Sequence, residues 1–504
     1  MPEQLVAQAL AALRDRDFHA ARARIVAYGH VHMFALRHYL IQGLAEMALE
    51  DWPNAVATFG AAAAHFPDQP QLWFNLGVAQ ENLRAFPQAA GSFERSLGYK
   101  PDQAEACGNL SNVYRRLGRF GEAEEMARRA IAFGAPKAQA LNSLGLALGR
   151  QAKFAEAEKT LREAMALAPG DAQIAANLAN LYVDQLRFEE TWPLFVEARA
   201  KNDAPAIRHH EGMARLLAGD YQTGWELCEA RLQPPVNLRV QPACPRWRGE
   251  TLIGKKLLLV AEQGQGDTIQ FCRYGGLLAK SGAQLAWVMQ KSLQCLLAAN
   301  LPGIVLADDE PLPEADFYLP LLSLPLALGL YAPQNAPPVP YLRAPVKLAL
   351  PAGDGESRKI GLVWSGSKTH ERDAERSIPL ARFAPLWEKT GAKPAVFYAP
   401  FIGEDLEQSA NYPVVPLDDF IGDFADTASL LMQLDCLVTV DTAAAHLAGA
   451  LGVKTYLLLP YCPDWRWGTK GEATAWYASV TLLRQPQPGD WDGVMARLTD
   501  RLAI

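Results

Sequence analysis

The sequence predicts an α solenoid followed by an α/β region that contains two parallel sheets. The first half of the chain repeats itself every 34 residues, whereas the second half alternates apolar strands with helical stretches. In addition, two distant segments, 261–274 and 438–452, each run an apolar strand into a turn of small residues and a helix start. Such turns present unpaired backbone N–H groups where an anion can bind. The second half is therefore expected to bind a phosphate-carrying molecule.

The composition is that of a globular chain of about three domains, at ~150 residues each. It has 504 residues, half of them apolar, and a net charge of −7, which does not favour nucleic acid as a partner. The seven cysteines form no C-x-x-C or Cys/His cluster, so we expect neither a disulfide framework nor a zinc site, and a cytoplasmic location. We expect no signal peptide and no membrane span, since prolines interrupt the most apolar stretch, 317–331.

The 34-residue repeat is typical of tetratricopeptide helix pairs. Small residues recur where two helices must pass closely, at Gly43, Gly77, Ser111, Gly145 and Ala179. An aromatic residue recurs in unbroken register at Trp52, Phe86, Phe120, Phe154 and Phe188. We predict about six repeats over residues 1–232, with degenerate end repeats that cap the stack.

Asparagines recur at the same positions of several predicted repeats, in two rows one helical turn apart. Asparagine is a poor residue for a helix interior, so two rows of it need a reason. The amides either bind the backbone of an extended polypeptide or join neighbouring repeats to each other, and the spacing leaves both interpretations open. The candidate acceptor-binding residues are Asn75, Asn109, Asn112, Asn142, Asn177 and Asn180.

A proline-rich linker is predicted at residues 233–255, followed by two Rossmann-like halves at 256–345 and 346–504. Strands are expected at 257–262, 284–289, 303–306 and 316–319, and again at 359–364, 395–398, 436–440 and 454–459. Ligands of open α/β sheets bind at the carboxyl ends of the strands, where both small-residue turns lie.

Four motifs of the second half carry a resemblance to a known family. They are EQGQGDTIQF at 262–271, GLVWSGS at 361–367 with ERSIPL at 375–380, DTAAAHLAGALG at 441–452 and PDWRW at 463–467. On these motifs the second half resembles the heptosyltransferase-like family 9 glycosyltransferases of the two-domain GT-B fold. The whole chain resembles bacterial tetratricopeptide proteins that carry such a domain, flagellin glycosyltransferases among them. The array also resembles that of protein O-linked N-acetylglucosamine transferases, whose asparagine ladder holds the acceptor polypeptide.

The resemblance implies an inverting, metal-independent transferase that needs no cofactor. Its substrate would be a nucleotide sugar linked to CMP, UDP, ADP or GDP, and its acceptor a protein, with flagellin as the candidate. Asp267 would be the general base. The donor would be bound by Gly264, Gly266, Thr268, Ser365, Gly366, Arg376, Asp441, Thr442, Ala443 and His446, with Lys368 as a substitute for Arg376.

Several of these residues also have a structural interpretation. Asp267 with Gln270 fits a helix-capping box, and Asp441 and Thr442 are good helix caps. His446 fits a buried helix histidine. Trp465 and Trp467 would either stack on a ligand or pack between domains. Asp308 and Asp309 are expected to be solvated turn residues rather than metal ligands.

Two other functional classes fit the sequence. One is a saccharide- or lipopolysaccharide-directed transferase whose repeats dock an assembly partner. The other is a non-catalytic adaptor that keeps the sugar-binding fold as a scaffold.

Overall fold

The structure is a computed structural model that describes residues 2–29, 36–233, 238–351, 357–368, 370, 372–388, 395–400 and 409–502. Residues 234–237 of the predicted linker lie outside the described residues. By contacts, the chain divides into two compact units, Met1–Leu181 and Tyr182–Ile504. The helices after residue 188 therefore belong to the second unit, whereas the sequence predicts the end of the array at residue 232.

Residues 2–29 and 36–228 form fourteen helices that follow one another along the chain. They are α1 (Pro2–Arg14), α2 (Phe18–Gly29), α3 (Leu36–Ala48), α4 (Trp52–His65), α5 (Pro70–Asn82), α6 (Phe86–Tyr99), α7 (Ala104–Arg116), α8 (Phe120–Ala132), α9 (Lys137–Arg150), α10 (Phe154–Leu167), α11 (Ala172–Asp184), α12 (Phe188–Lys201), α13 (Pro205–Ala218) and α14 (Tyr221–Cys228). The described residues thus hold seven pairs where the sequence predicts about six, because the terminal pairs lack most consensus residues.

The turn inside each pair needs one residue in the left-handed backbone region. Gly118 has a φ of 74°, and the equivalent residues 34 positions apart have φ of 57° to 59°. Those non-glycine residues are Arg16, Glu50, Arg84, Ala152 and Leu186. The left-handed region costs a non-glycine residue roughly 1–2 kcal/mol. The left-handed residue recurs every 34 positions although its side chain varies. The backbone geometry of the helix hairpin, and not the type of side chain, therefore determines where this turn lies.

The recurring small residue lies where the two helices of a pair are closest, as the sequence predicts. A Cβ atom on Gly77 would lie 2.7 Å from the ring of Phe93, and one on Gly145 would lie 2.6 Å from Leu161 Cγ. Ser111 in the same register donates a hydrogen bond to the Ala123 carbonyl at 2.8 Å. A larger side chain at this position would force the pair apart.

The rest of the chain contains two parallel sheets, which confirms the predicted α/β class. The first has the strand order β3-β2-β1-β4, and the second has the order β10-β9-β8-β5-β6-β7. The strands are β1 (Lys256–Val260), β2 (Gln284–Met289), β3 (Ile304–Ala307), β4 (Phe317–Pro320), β5 (Arg358–Val363), β6 (Ala395–Ala399), β7 (Val414–Pro416), β8 (Cys436–Val440), β9 (Thr455–Leu459) and β10 (Val480–Arg484). In each sheet the direction of the strand order reverses beside the strand that comes first in the chain, which is β1 in the first sheet and β5 in the second. Such switch points form a crevice in which ligands bind.

Short helices cover these sheets. They are α15 (Gln265–Phe271), α16 (Gly275–Lys280), α17 (Gln294–Ala298), α18 (Leu324–Ala327), α19 (Asp373–Arg376), α20 (Ala384–Glu388), α21 (Phe424–Leu431), α22 (Ala443–Leu451) and α23 (Trp491–Leu502). No helix in the described parts of the chain is long and apolar enough to cross a membrane.

Trp225 explains why the last helix pair belongs to the second compact unit. Its ring meets those of Phe271 and Trp465 edge-on, at centroid distances of 5.8 and 5.1 Å. Its indole N–H donates to the Tyr331 carbonyl at 2.9 Å. Helix α14 is therefore part of the hydrophobic core of the α/β region.

Candidate functional site

The segment after β1 forms a helix start whose register differs from the expected one. Gly264 is the N-cap, the helix begins at Gln265, and the Asp267 carboxylate accepts a hydrogen bond from the Gly264 N–H at 2.8 Å. Asp267 therefore caps the helix from its third position. In the expected capping box, Asp267 would have been the N-cap residue and Gln270 its partner. A 3₁₀ turn at Cys272–Tyr274 separates α15 from α16.

Arg466 covers Asp267. Its Nη2 contacts the Asp267 carboxylate, its Nη1 donates to Asp464 at 2.9 Å, and its Nε donates to the Gln270 side-chain oxygen at 2.5 Å. The exposed fractions of the Asp267 and Arg466 side chains are 16% and 8%. Asp267 is therefore held in a buried ion pair with Arg466.

Burial raises the pKa of Asp267 above its ordinary value, and Asp464 adds to the rise while Arg466 opposes it. Burial acts on Asp464 in the same direction, but Arg466 and the hydrogen bonds it donates leave the pKa of Asp464 below its ordinary value. The two carboxylates that share this guanidinium thus differ in basicity. Asp267 is the better proton acceptor of the two.

The segment after β8 forms the predicted cap and helix. Thr442 is the N-cap of α22, whose first turn consists of alanines. This turn meets the start of α15, because a Cβ atom on Gly266 would lie 2.8 Å from His446 Cδ2 and 3.5 Å from Ala443 Cα. The structure therefore brings together the two turns that the sequence singles out, although 176 positions separate Gly266 from Thr442.

His446 is buried and fully engaged. Its Nδ1 lies 3.0 Å from the Tyr477 hydroxyl, and its ring stacks on Trp467 at a centroid distance of 5.2 Å. Burial, reinforced by Arg466, lowers the pKa of His446 to about 3. The imidazole is therefore neutral at physiological pH and serves as a packing and hydrogen-bonding group.

Arg376 approaches the same helix start from the end of α19, the short helix that follows β5. It donates to the Asp441 carbonyl at 2.8 Å and contacts Asp373 at 3.3 Å. Gly366 lies directly against this guanidinium, and a Cβ atom there would overlap with it. Burial raises the pKa of Asp441 to about 6, with a further rise from Asp464 and an opposing effect of Arg376.

The other predicted donor-binding residues differ in accessibility. Thr268 is buried and donates to the Gln290 side chain at 2.9 Å, so its hydroxyl supports the loop rather than facing a crevice. Ser365 is half-buried and Lys368 is exposed. Asp308 and Asp309 lie in a turn and pair with Arg239 and Lys291, both at 2.9 Å.

The tryptophans of the PDWRW motif are packing residues. Trp465 and Trp467 are 4% and 3% exposed. Trp465 packs edge-on against Trp225 and Trp476, and Trp467 packs on His446. They fix the backbone on either side of Arg466.

The asparagines lie on the first helices of their pairs, α5, α7, α9 and α11, and several bond between repeats. Asn177 Nδ2 donates to Asn142 at 2.8 Å, and Ser143 Oγ donates to Asn112 at 3.4 Å. Within single helices, Gln71 donates to Asn75 and Gln173 donates to Asn177. Asn180 is half-buried. Asn109 is also half-buried, and its side chain forms no hydrogen bond with any residue that the structure describes.

Sequence reasoning missed Arg466 and Asp464 as members of the site. The available signal was the motif itself, an arginine between two tryptophans and two positions after an aspartate. Arginines between aromatic residues are often buried and paired. Within the described residues, no group of three or more His, Cys, Asp or Glu has an arrangement that could hold a metal ion.

The helical array matches family models of the tetratricopeptide repeat. One model covers residues 40–106, and a second covers residues 103–134 and 138–168. The array therefore consists of tetratricopeptide repeats.

Among curated proteins, the chain is similar to Protein FlbA of Caulobacter vibrioides, with 26% identity over 323 residues. The match covers 57% of this chain and 53% of that protein, so the chain spans about half the length of the curated relative. Among solved structures, a tetratricopeptide repeat protein from Parabacteroides merdae has a TM-score of 0.43 at 13% identity, and the match covers 46% of this chain and 93% of that one. PilW, a type IV pilus biogenesis factor, has a TM-score of 0.35 at 22% identity, with coverages of 39% and 92%.

Replacing Gly266 with alanine is expected to lower the free energy of unfolding by about 1–3 kcal/mol, the usual effect of overpacking a core. The new methyl group would collide with the His446 ring, which Trp467 and Tyr477 hold in place. Denaturant unfolding measures the effect. Gly276→Ala is the matched control, because a Cβ atom there meets nothing within 4 Å. Equal stability of the two variants would contradict the close contact between the two turns.

Proposed function

We propose that this protein is an inverting, metal-independent glycosyltransferase that moves a sugar from a nucleotide-sugar donor to Ser or Thr residues of a polypeptide bound by the repeat array. Flagellin is the candidate acceptor. The donor nucleotide is one of CMP, UDP, ADP or GDP.

The observation that carries the proposal is the position of Asp267, Arg376 and the start of α22. They follow β1, β5 and β8, the strands at or beside the switch points of the two sheets. The α15 start meets the α22 start, and Arg376 meets the Asp441 carbonyl. A buried carboxylate with a raised pKa near a cation-lined helix start is typical of a functional site. A non-catalytic scaffold would have no need of this arrangement.

In the proposed reaction, the acceptor hydroxyl attacks the anomeric carbon while Asp267 takes the hydroxyl proton. The new bond joins the acceptor oxygen to the anomeric carbon, and the bond between that carbon and the phosphate oxygen breaks. The hydroxyl attacks from the face opposite the phosphate, which leaves with the electron pair, so the configuration at the carbon inverts. General-base assistance of this kind increases rates by roughly 10²–10⁴.

The leaving phosphate gains negative charge, which two groups of the second half would stabilise. Helix α22 spans nine residues and presents the N–H groups of its alanine turn together with the positive end of its dipole. Arg376 is fixed beside that turn by the Asp441 carbonyl. Donors fixed in advance stabilise developing charge without reorganisation.

The compartment we propose is the cytoplasm. All seven cysteines are free thiols, five of them buried. Reducing compartments keep thiols in this state.

The experiment that tests the proposed function is the intact mass of flagellin from the bacterium that carries this gene, with the gene present and deleted. We expect regularly spaced sugar masses that disappear in the deletion strain. Unchanged masses would exclude flagellin as the acceptor, and the same comparison would then be made on the total Ser/Thr-linked glycopeptides of the two strains. Unchanged glycopeptides would exclude protein glycosylation.

One observation favours the saccharide-directed alternative. The amides of Asn142 and Asn177 bond to each other, and Asn112 bonds to Ser143, as residues that join repeats would. Under that alternative the asparagine rows stabilise the array and hold no polypeptide. The repeats would then dock an assembly partner.

Asn109 separates the two interpretations, because its side-chain amide forms no hydrogen bond to the described residues. Under the proposed function, Asn109→Ala lowers the rate of polypeptide modification by about tenfold, since a backbone amide contact contributes about 1–1.5 kcal/mol. Donor binding, measured by calorimetry, is unchanged.

The matched variant is Asn177→Ala, which loses the bond to Asn142 and should lower the stability of the array by about 1 kcal/mol. Asn109→Ala should leave the array at least as stable as the wild type in thermal unfolding, because alanine is the better helix former. If Asn109→Ala modifies the acceptor at the wild-type rate, the asparagines do not hold the polypeptide.

A further inference from the structure

Arg466 forms an ion pair with Asp267, the candidate base of the reaction. Its guanidinium contacts Asp267, Gln270 and Asp464, and its side chain is 8% exposed. A carboxylate that accepts from a guanidinium is a poor proton acceptor, because protonation would break a charge-assisted hydrogen bond. Asp267 therefore needs Arg466 to leave before it can take a proton from a hydroxyl.

Arg466 lies near the start of α22, where the donor phosphate would bind, because its neighbour Trp467 stacks on His446 of that helix. Asp267, Asp441 and Asp464 all act electrostatically on Arg466. Arg466 in turn acts on His446 and Asp441, which places its charge near the start of α22. A phosphate at that helix start would compete with Asp267 for the guanidinium. Guanidinium groups bind phosphate as readily as carboxylate, through two parallel hydrogen bonds.

The side chain of Gln270 supports a second arrangement of this cluster. Its oxygen accepts from Arg466, whereas its buried Nε2 has no hydrogen-bond partner among the described residues. A buried donor without an acceptor destabilises the arrangement that contains it. The arrangement with Arg466 on Asp267 therefore leaves one polar group unsatisfied at the centre of the site.

The backbone of Arg466 is fixed, so the movement would be confined to its side chain. Asp464 accepts from the Arg466 N–H at 3.0 Å, and Trp465 and Trp467 are packed on either side. Asp464 also holds Nη1, and this contact can persist while Nη2 exchanges partners. A rotation of one side chain suffices to exchange the carboxylate of Asp267 for a phosphate.

We infer that Arg466 is a phosphate-binding gate on Asp267: its guanidinium pairs with Asp267 until the donor phosphate takes it over, which frees the carboxylate to act as the base. The inference rests on the proposed function, since it assigns a role within the same site. It links deprotonation of the acceptor to the presence of the donor. Arg466 thereby limits the time during which an unpaired base is available for hydrolysis of the donor by water.

The test is a double-mutant cycle on nucleotide binding, measured by titration calorimetry. UDP, ADP, GDP and CMP are titrated into the wild type, and the nucleotide that binds most tightly is used for the variants. Asp267→Asn should bind it about tenfold more tightly, because Arg466 no longer has to leave a carboxylate. Arg466→Gln should bind it about tenfold or more weakly. In the double variant, Asp267→Asn should give no gain.

The double variant separates the gate from simple repulsion. If Asp267 merely repels phosphate, Asp267→Asn tightens binding equally with and without Arg466, and the gate is overturned. Affinities that are equal in the wild type and all variants also overturn it. If the wild type binds none of the nucleotides, the proposed function fails and this inference with it.

Two further variants serve as a control and as a replacement for a variant that does not fold. Arg501→Gln removes an exposed arginine that pairs with Glu472, and its nucleotide affinity should equal that of the wild type. If Arg466→Gln does not fold, Arg466→Met, which keeps the aliphatic length but not the charge, takes its place in the cycle.

Discussion

Replacing Glu262 with glutamine lowers the free energy of unfolding of the second compact unit by about 3 kcal/mol, as expected when one partner of a buried ion pair is removed. The Glu262 carboxylate is 5% exposed and accepts from Arg231 at 2.8 and 3.1 Å. It also accepts from the Leu322 N–H at 3.2 Å. Glutamine has a similar shape but no charge, so the change leaves the Arg231 charge buried with a single remaining carboxylate, Glu229.

The size of the effect follows from the network around Arg231. Burial disfavours the charged form of this arginine, but Glu262 and Glu229 together raise its pKa above the ordinary value. Ser323 accepts from Arg231 at 2.8 Å and donates to Glu229 at 2.8 Å. The network joins the 3₁₀ turn at Glu229–Leu232, which follows α14, to the end of β1 and the segment after β4.

Denaturant unfolding followed by near-UV circular dichroism measures the loss. The control is Glu472→Gln, which removes an exposed carboxylate paired with Arg501 and should change stability by less than about 1 kcal/mol. A loss below 1 kcal/mol in Glu262→Gln would show that the buried network does not hold α14 on the sheet.

The fold could be predicted from periodicity, and its exceptions have local causes. The 34-residue register predicts the helix pairs because the strained turn and the close helix contact recur at fixed positions. Strands β7 and β10 were not predicted from the sequence. Strand β7 has three residues and ends in Pro416, and both strands lie at the edges of their sheet, where the hydrophobic signal is weakest.

The site could be predicted only in part. The glycine turn, the Asp441–Thr442 cap and Arg376 lie on strand ends, which a sequence pattern reveals. The pairing of Asp267 with Arg466 joins positions 199 residues apart and depends on how the two sheets pack, which no local pattern encodes. For the same reason Glu262, the first residue of a recognised motif, had no predicted partner.

Replacing Asp267 with asparagine is expected to lower the rate of sugar transfer by roughly 10²–10⁴ at saturating donor and acceptor, because the amide cannot accept the hydroxyl proton. The side-chain oxygen of asparagine can still accept from the Gly264 N–H, so the helix cap survives. The measurement is the initial rate of mass increase of the acceptor protein. In the wild type, this rate should fall as the pH falls through the pKa of Asp267, which burial places above that of an ordinary aspartate.

Asp426→Asn is the matched control, because Asp426 has the same structural role without the proposed chemical one. It lies at the third position of α21, where its carboxylate completes a capping box and accepts from Gly422 at 2.8 Å. We expect Asp426→Asn to transfer sugar at the wild-type rate and to lose about 1 kcal/mol of stability or less. If Asp267→Asn behaves like Asp426→Asn, Asp267 is a helix cap and the base of the reaction lies elsewhere. A loss of rate confined to Asp267→Asn, with both variants folded, would separate a proton acceptor from a capping residue.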